Sequence, residues 1–280
     1  MKVSEFQQSF KSTLASLYSE GELQQLLFMV LEDVCNYNRI DINTQKNELL
    51  DDAQTFKLNS ILDKLKLGTP IQYILGFAWF DNLKLIVSPD VLIPRQETEE
   101  IVHWVYSENK MMKPIILDLC TGSGCIALAL KNRLKDSQVK GFDISKEALK
   151  IARKNSSNLN LKVAFLEEDL LNLESLGAEA DIIISNPPYV RHSEKNVMND
   201  LVVKQEPHLA LFVKDDNPLI FYKAIAGLAQ KSLRVGGLLF LEINEALAEE
   251  TIGVLSDSGF VGCELRKDLN DRNRMIKAVK

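Results

Sequence analysis

The 280-residue sequence has no apolar run close to the ~20 residues that span a bilayer. Runs such as Leu238–Ile243 and Ile182–Ile184 are of strand length, so no membrane span is expected. Met1–Glu22 is polar and carries acidic residues, which argues against an export signal. Cysteine is scarce. Cys35, Cys120, Cys125 and Cys263 form no Cys-x-x-Cys pair, so they predict reduced thiols in a cytoplasm and no disulfide framework. Three scattered histidines, His103, His192 and His208, predict no metal site. Positive charge is also short: 33 Lys and Arg face 39 Asp and Glu, for a net charge of −6. Direct nucleic-acid binding through phosphate neutralisation is therefore not expected.

What is present is an ordinary globular composition, 46% apolar and 26% charged. The length suits one large domain or two modest ones. Leu23, Leu26, Leu27, Val30, Leu31 and Val34 form one apolar stripe at helical spacing. Leu58, Ile61, Leu62 and Leu65 repeat it, and Gly68-Thr69-Pro70 stops it. A small helical bundle follows. Phe77–Val87 alternates apolar residues around Asp81-Asn82, the pattern of a β-hairpin joining two domains. Ile101, Val102 and Val105 suggest another helix, and from Ile115 strand and helix patterns alternate.

Strands are expected at Ile115–Leu119, Val139–Phe142, Lys162–Leu166, Asp181–Ser185, Leu238–Ile243, Val261–Leu265 and Met275–Val279. Helices are expected between them, for instance Ser145–Asn155 and Pro218–Leu233, with a turn at Gly236-Gly237. This order predicts an α/β fold with a doubly wound sheet. The polar Arg266–Arg274 connection favours an antiparallel last pair at the sheet edge.

Asp118-Leu119-Cys120-Thr121-Gly122-Ser123-Gly124 runs from an apolar strand through a glycine loop into a helix. Gly122 and Gly124 let a ligand approach the main chain. Asp143 ends the next strand and is placed to bond ribose hydroxyls. The loop with Asp143 fits a dinucleotide as well as S-adenosylmethionine. Asp118 leans the choice toward the latter, because a carboxylate repels a pyrophosphate but suits a methionine ammonium. Asp169-Leu170, after the third strand, reads either as an adenine contact or as a helix N-cap.

Asn186-Pro187-Pro188-Tyr189 ends the Asp181–Ser185 strand, at the sheet edge where open α/β sheets bind ligands. Two prolines remove two N–H donors, fix φ, and hold Asn186 and Pro187 out of the α region. The Asn186 side-chain oxygen and the Pro187 carbonyl can then accept both hydrogens of a planar NH₂ group, with Tyr189 as a flat face. Such a site suits an amide or exocyclic amine nitrogen, whose lone pair is delocalised. Positioning carries most of the work, and no general base is required.

These blocks resemble the release-factor glutamine N5-methyltransferases over nearly the whole chain. Gly68–Gly76 is similar to that family's interdomain segment. Leu92-Ile93-Pro94-Arg95-Gln96-Glu97-Thr98-Glu99 resembles its Leu-Ile-Pro-Arg-Pro-Glu-Thr-Glu block, and Asp118–Ala127 resembles its cofactor loop. The resemblance implies a helical bundle over 1–75 that recognises substrate, a β-hairpin linker over 76–95, and a Rossmann-like seven-stranded methyltransferase domain over 96–280. It implies S-adenosylmethionine at Asp118, Cys120, Thr121, Gly122, Ser123, Gly124, Asp143, Asp169, Leu170 and Asn186. It also implies that the glutamine of a release factor's Gly-Gly-Gln loop sits against Asn186, Pro187, Pro188 and Tyr189, with Arg95 nearby. Arg95 reads equally as half of an ion pair.

Glu206-Pro207, Asp268 and Arg274 resemble further family elements without an assigned role. Two positions depart from the family pattern. Cys120 replaces a frequent glycine and is expected to keep φ negative; Gln96 replaces proline. The alternatives are an adenine-N6 methyltransferase of nucleic acid, a glutamine methyltransferase acting on a ribosomal protein, and a nicotinamide oxidoreductase. The last leaves Asn186–Tyr189 unexplained.

Overall fold

The computed structural model describes residues 1–197 and 200–280. The chain divides into two units, Met1–Gly76 and Phe77–Lys280. The first holds α1 (Val3–Leu14), α2 (Glu20–Cys35), α3 (Asp41–Thr44), α4 (Asp52–Lys66) and α5 (Ile71–Leu75). Capping boxes start its two long helices. Ser19 and Asp51 accept the N–H groups of Glu22 and Gln54, whose side chains return to the cap N–H. Leu23, Leu27, Val30 and Leu31 of α2 then bury against Leu58, Ile61, Leu62 and Leu65 of α4 and Phe6 and Phe10 of α1.

The second unit runs β1 (Phe77–Phe80), β2 (Leu83–Ile86), α6 (Gln96–Glu108), β3 (Ile115–Leu119), α7 (Cys125–Arg133), β4 (Gln138–Asp143), α8 (Lys146–Asn158), β5 (Ala164–Glu167) and β6 (Ala180–Ser185). It continues with β7 (Val190–Arg191), α9 (Asp200–Gln205), α10 (His208–Leu211), β8 (Phe212–Val213), α11 (Ile220–Ser232), β9 (Leu233–Glu242), α12 (Ala248–Asp257), β10 (Val261–Lys267) and β11 (Asn273–Val279). Seven strands form one sheet in the order β10-β11-β9-β6-β3-β4-β5. Strands β9, β6, β3, β4 and β5 are parallel, and β11 is antiparallel to both β9 and β10.

Period-two alternation divides the strand residues between two cores. Ile116, Ile182 and Ile184 face one layer with α6, α7 and α8, while Leu117, Leu119 and Ile183 face the other with α11 and α12. This is the Rossmann-like α/β sandwich.

Two expectations change. The 76–95 segment was expected as a linker, yet its β1–β2 hairpin belongs to the second unit. Phe80, Leu83 and Leu85 are buried in the core with α6 and α7, and Asn155 of α8 bonds both the N–H and the carbonyl of Ile86. Gly236-Gly237 is not a turn but part of β9, at a register shift against β6. A Cβ on Gly237 would lie 2.8 Å from the Arg234 carbonyl oxygen and 3.2 Å from that of Asp181. The glycine pair is therefore a bulge that bends the strand, not a stop.

Candidate active site

The glycine loop and the Asn-Pro-Pro-Tyr segment lie far apart in sequence, and sheet register brings them together. β3 and β6 are parallel neighbours with Leu119 opposite Ser185, so Cys120 and Asn186 leave the sheet side by side. The Ser185 hydroxyl donates to the Leu119 carbonyl at 2.7 Å and ties the two strand ends. Beyond those ends lies an open cleft with a cavity volume of about 240 Å³.

Of the residues singled out from the sequence, Arg95, Cys120, Thr121, Gly122, Ser123, Asp143, Asp169, Leu170, Asn186 and Pro188 line this cleft. Asp118, Gly124, Pro187 and Tyr189 do not. Asp118 is fully buried. One carboxylate oxygen accepts from the Thr121 hydroxyl at 2.5 Å and the Ala127 N–H at 3.2 Å, while the other has no partner. Burial pushes its carboxyl up to about 7. The residue therefore braces the loop from behind, where it had been expected to face a ligand. Gly124 is the N-cap of α7 and sits under Phe165 and Ala152.

Cys120 corrects a second expectation. Its φ is 61°, in the left-handed region, not negative. The next residue explains the constraint, since the Thr121 N–H must reach the Phe142 carbonyl of β4 at 2.9 Å. Burial pushes the Cys120 thiol far up, which removes a thiolate at neutral pH.

Asp143 ends β4 with both carboxylate oxygens in use, accepting from the Gly122 and Ser145 N–H groups at 2.8 and 2.9 Å. Each oxygen keeps lone-pair capacity for a further donor. Asp169 caps a turn and not a helix, accepting from the Leu171 N–H and the Asn172 side chain. Ile144, Leu170 and Leu171 give this end of the cleft an apolar wall.

At the other end, α6 begins at Gln96 with Arg95 as its N-cap. Gln96 thus occupies the first helical position, the one where proline is favoured because its N–H has no intrahelical partner. Arg95 is a clear ion pair: its guanidinium meets Glu206 at 2.5 Å, and Glu206 also accepts from the Ile93 N–H. Glu206 is nearly buried and ties the segment before α6 to that before α10.

Sequence reasoning missed the residues behind the tetrapeptide. The Asn186 side-chain NH₂ donates to the Thr98 hydroxyl at 3.2 Å, and that hydroxyl donates to Glu242 at 2.7 Å. The other Glu242 oxygen accepts from the Tyr189 hydroxyl at 2.9 Å. Arg274 lies beside it, donating to Tyr189 and to Asp268. Burial raises the Glu242 carboxyl, and the Thr98 and Tyr189 hydroxyls oppose that. One signal existed: Glu242 is the lone carboxylate inside the apolar run Leu238–Ile243. Thr98 carried no signal of its own. Among the described residues no helix is long and apolar enough to cross a membrane.

Comparison with known proteins bears on the family and the fold. Residues 105–211 match the family model "Methyltransferase small domain", and residues 5–76 match "PrmC N-terminal domain". The catalytic domain of hMettl16, solved with the MAT2A 3′UTR hairpin 6, shares the fold at a TM-score of 0.56. It covers 81% of each chain at 15% identity, which speaks to fold alone. The release factor glutamine methyltransferase of Bacteroides thetaiotaomicron is 39% identical over 96% of both chains. That of Flavobacterium psychrophilum is 40% identical over 99% of both. With a relative that close over essentially its whole length, the chain belongs to the release factor glutamine methyltransferase family.

Proposed function

We propose that this chain transfers a methyl group from S-adenosylmethionine to the side-chain amide nitrogen (N5) of the glutamine in a Gly-Gly-Gln loop of peptide chain release factors. The observation that carries this reading is Asn186. Its NH₂ is committed to Thr98, while its oxygen makes no hydrogen bond among the described residues, and Asn186 lines the cleft beside the glycine loop. An acceptor so placed receives a hydrogen from an incoming NH₂ group.

The residues present fit the methyl donor. Asp90, Asp143, Glu168 and Asp169 line the cleft against a single arginine, Arg95, which suits a cationic cofactor and disfavours a pyrophosphate. A Cβ on Gly122 would meet nothing within 4 Å, so there is open room directly over the loop backbone. Cys120–Ser123 would hold the methionine portion, Asp143 the ribose, and Ile144, Leu170 and Leu171 the adenine. When bound, S-adenosylmethionine supplies an electrophilic methyl group on a sulfonium.

The chain's own residues do the positioning. The Asn186 side-chain oxygen accepts an amide hydrogen, which fixes the nitrogen's orientation and favours its pyramidalisation; the Pro187 carbonyl expected as a second acceptor does not line the cleft. No base is needed early, because an alkylated amide nitrogen is strongly acidic. No lysine or histidine lines the cleft among the described residues. The Met1–Gly76 bundle would contribute recognition of the release factor. The same acidic lining counts against a nucleic-acid acceptor.

Mass spectrometry of a purified release factor incubated with enzyme and S-adenosylmethionine tests the reading. One added methyl on the Gly-Gly-Gln peptide is expected. Methylation confined to a ribosomal protein or to nucleic acid would overturn it.

A further inference from the structure

We infer that Glu242 is the positioning residue of the acceptor site, holding the first and last residues of Asn186–Tyr189 through one buried carboxylate and dictating which end of the Asn186 amide faces the cleft. The inference rests on the glutamine-methylation reading and deepens it. It follows from hydrogen-bond polarity. The Thr98 and Tyr189 hydroxyls and the Arg274 charge oppose the effect of burial and favour the ionised Glu242; an ionised carboxylate only accepts, so the single hydrogen of the Thr98 hydroxyl goes to Glu242 across the 2.7 Å contact. Thr98 is left with lone pairs alone for Asn186. At 3.2 Å from Thr98, Asn186 must therefore present its NH₂ there and turn its oxygen the other way.

The second Glu242 oxygen accepts from Tyr189, whose hydroxyl also receives a hydrogen from Arg274. Pro187 and Pro188 stiffen the span between these two anchors. Glutamine at 242 would offer one acceptor and one donor where two acceptors are needed. If its NH₂ faced Thr98, that hydroxyl would donate to Asn186 and draw the asparagine oxygen away from the cleft. If its NH₂ faced Tyr189, that hydroxyl would receive two hydrogens and have no acceptor.

Steady-state kinetics on a release factor, with S-adenosylmethionine affinity by calorimetry, tests this in Glu242→Gln, Thr98→Val and Thr98→Ser, with Asn186→Ala as reference. Glu242→Gln and Thr98→Val should each lower kcat by roughly 10- to 100-fold, the range for removing a partner that orients a functional side chain. KM for the release factor and the cofactor Kd should stay within about twofold, since the lost contact matters most as the nitrogen pyramidalises. Thr98→Ser keeps the hydroxyl and should retain most of kcat. The double variant Glu242→Gln with Thr98→Val should lose little more than either single, because both break one relay.

If Asn186→Ala is slow while Glu242→Gln and Thr98→Val turn over normally, the positioning role is wrong and the acceptor reading stands. If Asn186→Ala itself turns over normally, the acceptor reading falls first. Should Glu242→Gln fail to fold, Thr98→Val against Thr98→Ser decides: equal loss in both would overturn the relay.

Discussion

Cys120 stands where the family resemblance sets glycine, and its φ of 61° gives the reason glycine is frequent there. A left-handed residue other than glycine carries about 1–2 kcal/mol of steric cost. Cysteine is accepted because the neighbouring bonds over-determine the loop: Thr121 N–H to Phe142, Thr121 hydroxyl to Asp118, Gly122 N–H to Asp143. Asp143 is both brace and proposed ribose acceptor, so Asp143→Ala should hurt twice. Loss of one charge-assisted bond is worth ~1.5–3 kcal/mol, so the cofactor Kd should rise about tenfold or more. Calorimetry with S-adenosylmethionine checks this, and an unchanged Kd would remove Asp143 from the site.

At Asn186 the contact to Thr98 sharpens what each substitution should do. Asn186→Asp places an oxygen against a hydroxyl whose hydrogen is already given to Glu242. Two acceptors would then face each other, so the aspartate should be nearly as slow as Asn186→Ala. Both should lose roughly 10²–10³ in kcat, the scale for losing one preorganised polar contact at a reacting centre. Rapid turnover by the aspartate variant would show that the Thr98 bond is dispensable.

On the scale of the elements, the cleft depends on how closely β4 approaches the glycine loop. A Cβ on Gly141 of β4 would lie 2.7 Å from both the Thr121 hydroxyl oxygen and the Phe165 ring. Gly141→Ala should therefore destabilise by about 1–3 kcal/mol, the usual range for overpacking, and weaken cofactor binding through Thr121. Gly227→Ala is its control. Gly227 lies inside α11 with nothing within 4 Å of an added Cβ, so alanine should stabilise by about 0.5–1 kcal/mol. Thermal melts of the two variants give the comparison, and equal behaviour would rule out the close approach as the cause. The 76–95 segment belongs to this scale too. Its alternation announced a hairpin, but alternation carries no information on which core receives the buried face.

Taken whole, the molecule assigns the cleft entirely to Phe77–Lys280 and leaves Met1–Gly76 with its own core. Removing Met1–Gly76 should keep S-adenosylmethionine affinity within a few-fold. Methylation of intact release factor should fall sharply, because recognition of the protein substrate is the bundle's proposed part. Calorimetry and methyl-transfer assays on the Phe77–Lys280 fragment separate the two effects. Undiminished methylation by the fragment would sink the recognition role.

The sequence by itself determined the two-part organisation, the strand-helix alternation, the glycine loop and the Asn-Pro-Pro-Tyr segment. Each is written in local chemistry: period 3.6 or 2, glycines for close approach, prolines that remove donors. Tertiary structure decided what lies behind those motifs. Asp118 reads as a ligand group in the chain, but parallel pairing of β3 with β4 and β6 seals it beneath the loop. Thr98 and Glu242 are 144 positions apart, and only the packing of α6 against β9 lets one hydrogen bond join them. Arg95 and Glu206, 111 positions apart, meet in the same way. Contacts between elements distant in sequence leave no period in the chain, because nothing in either segment alone requires the other.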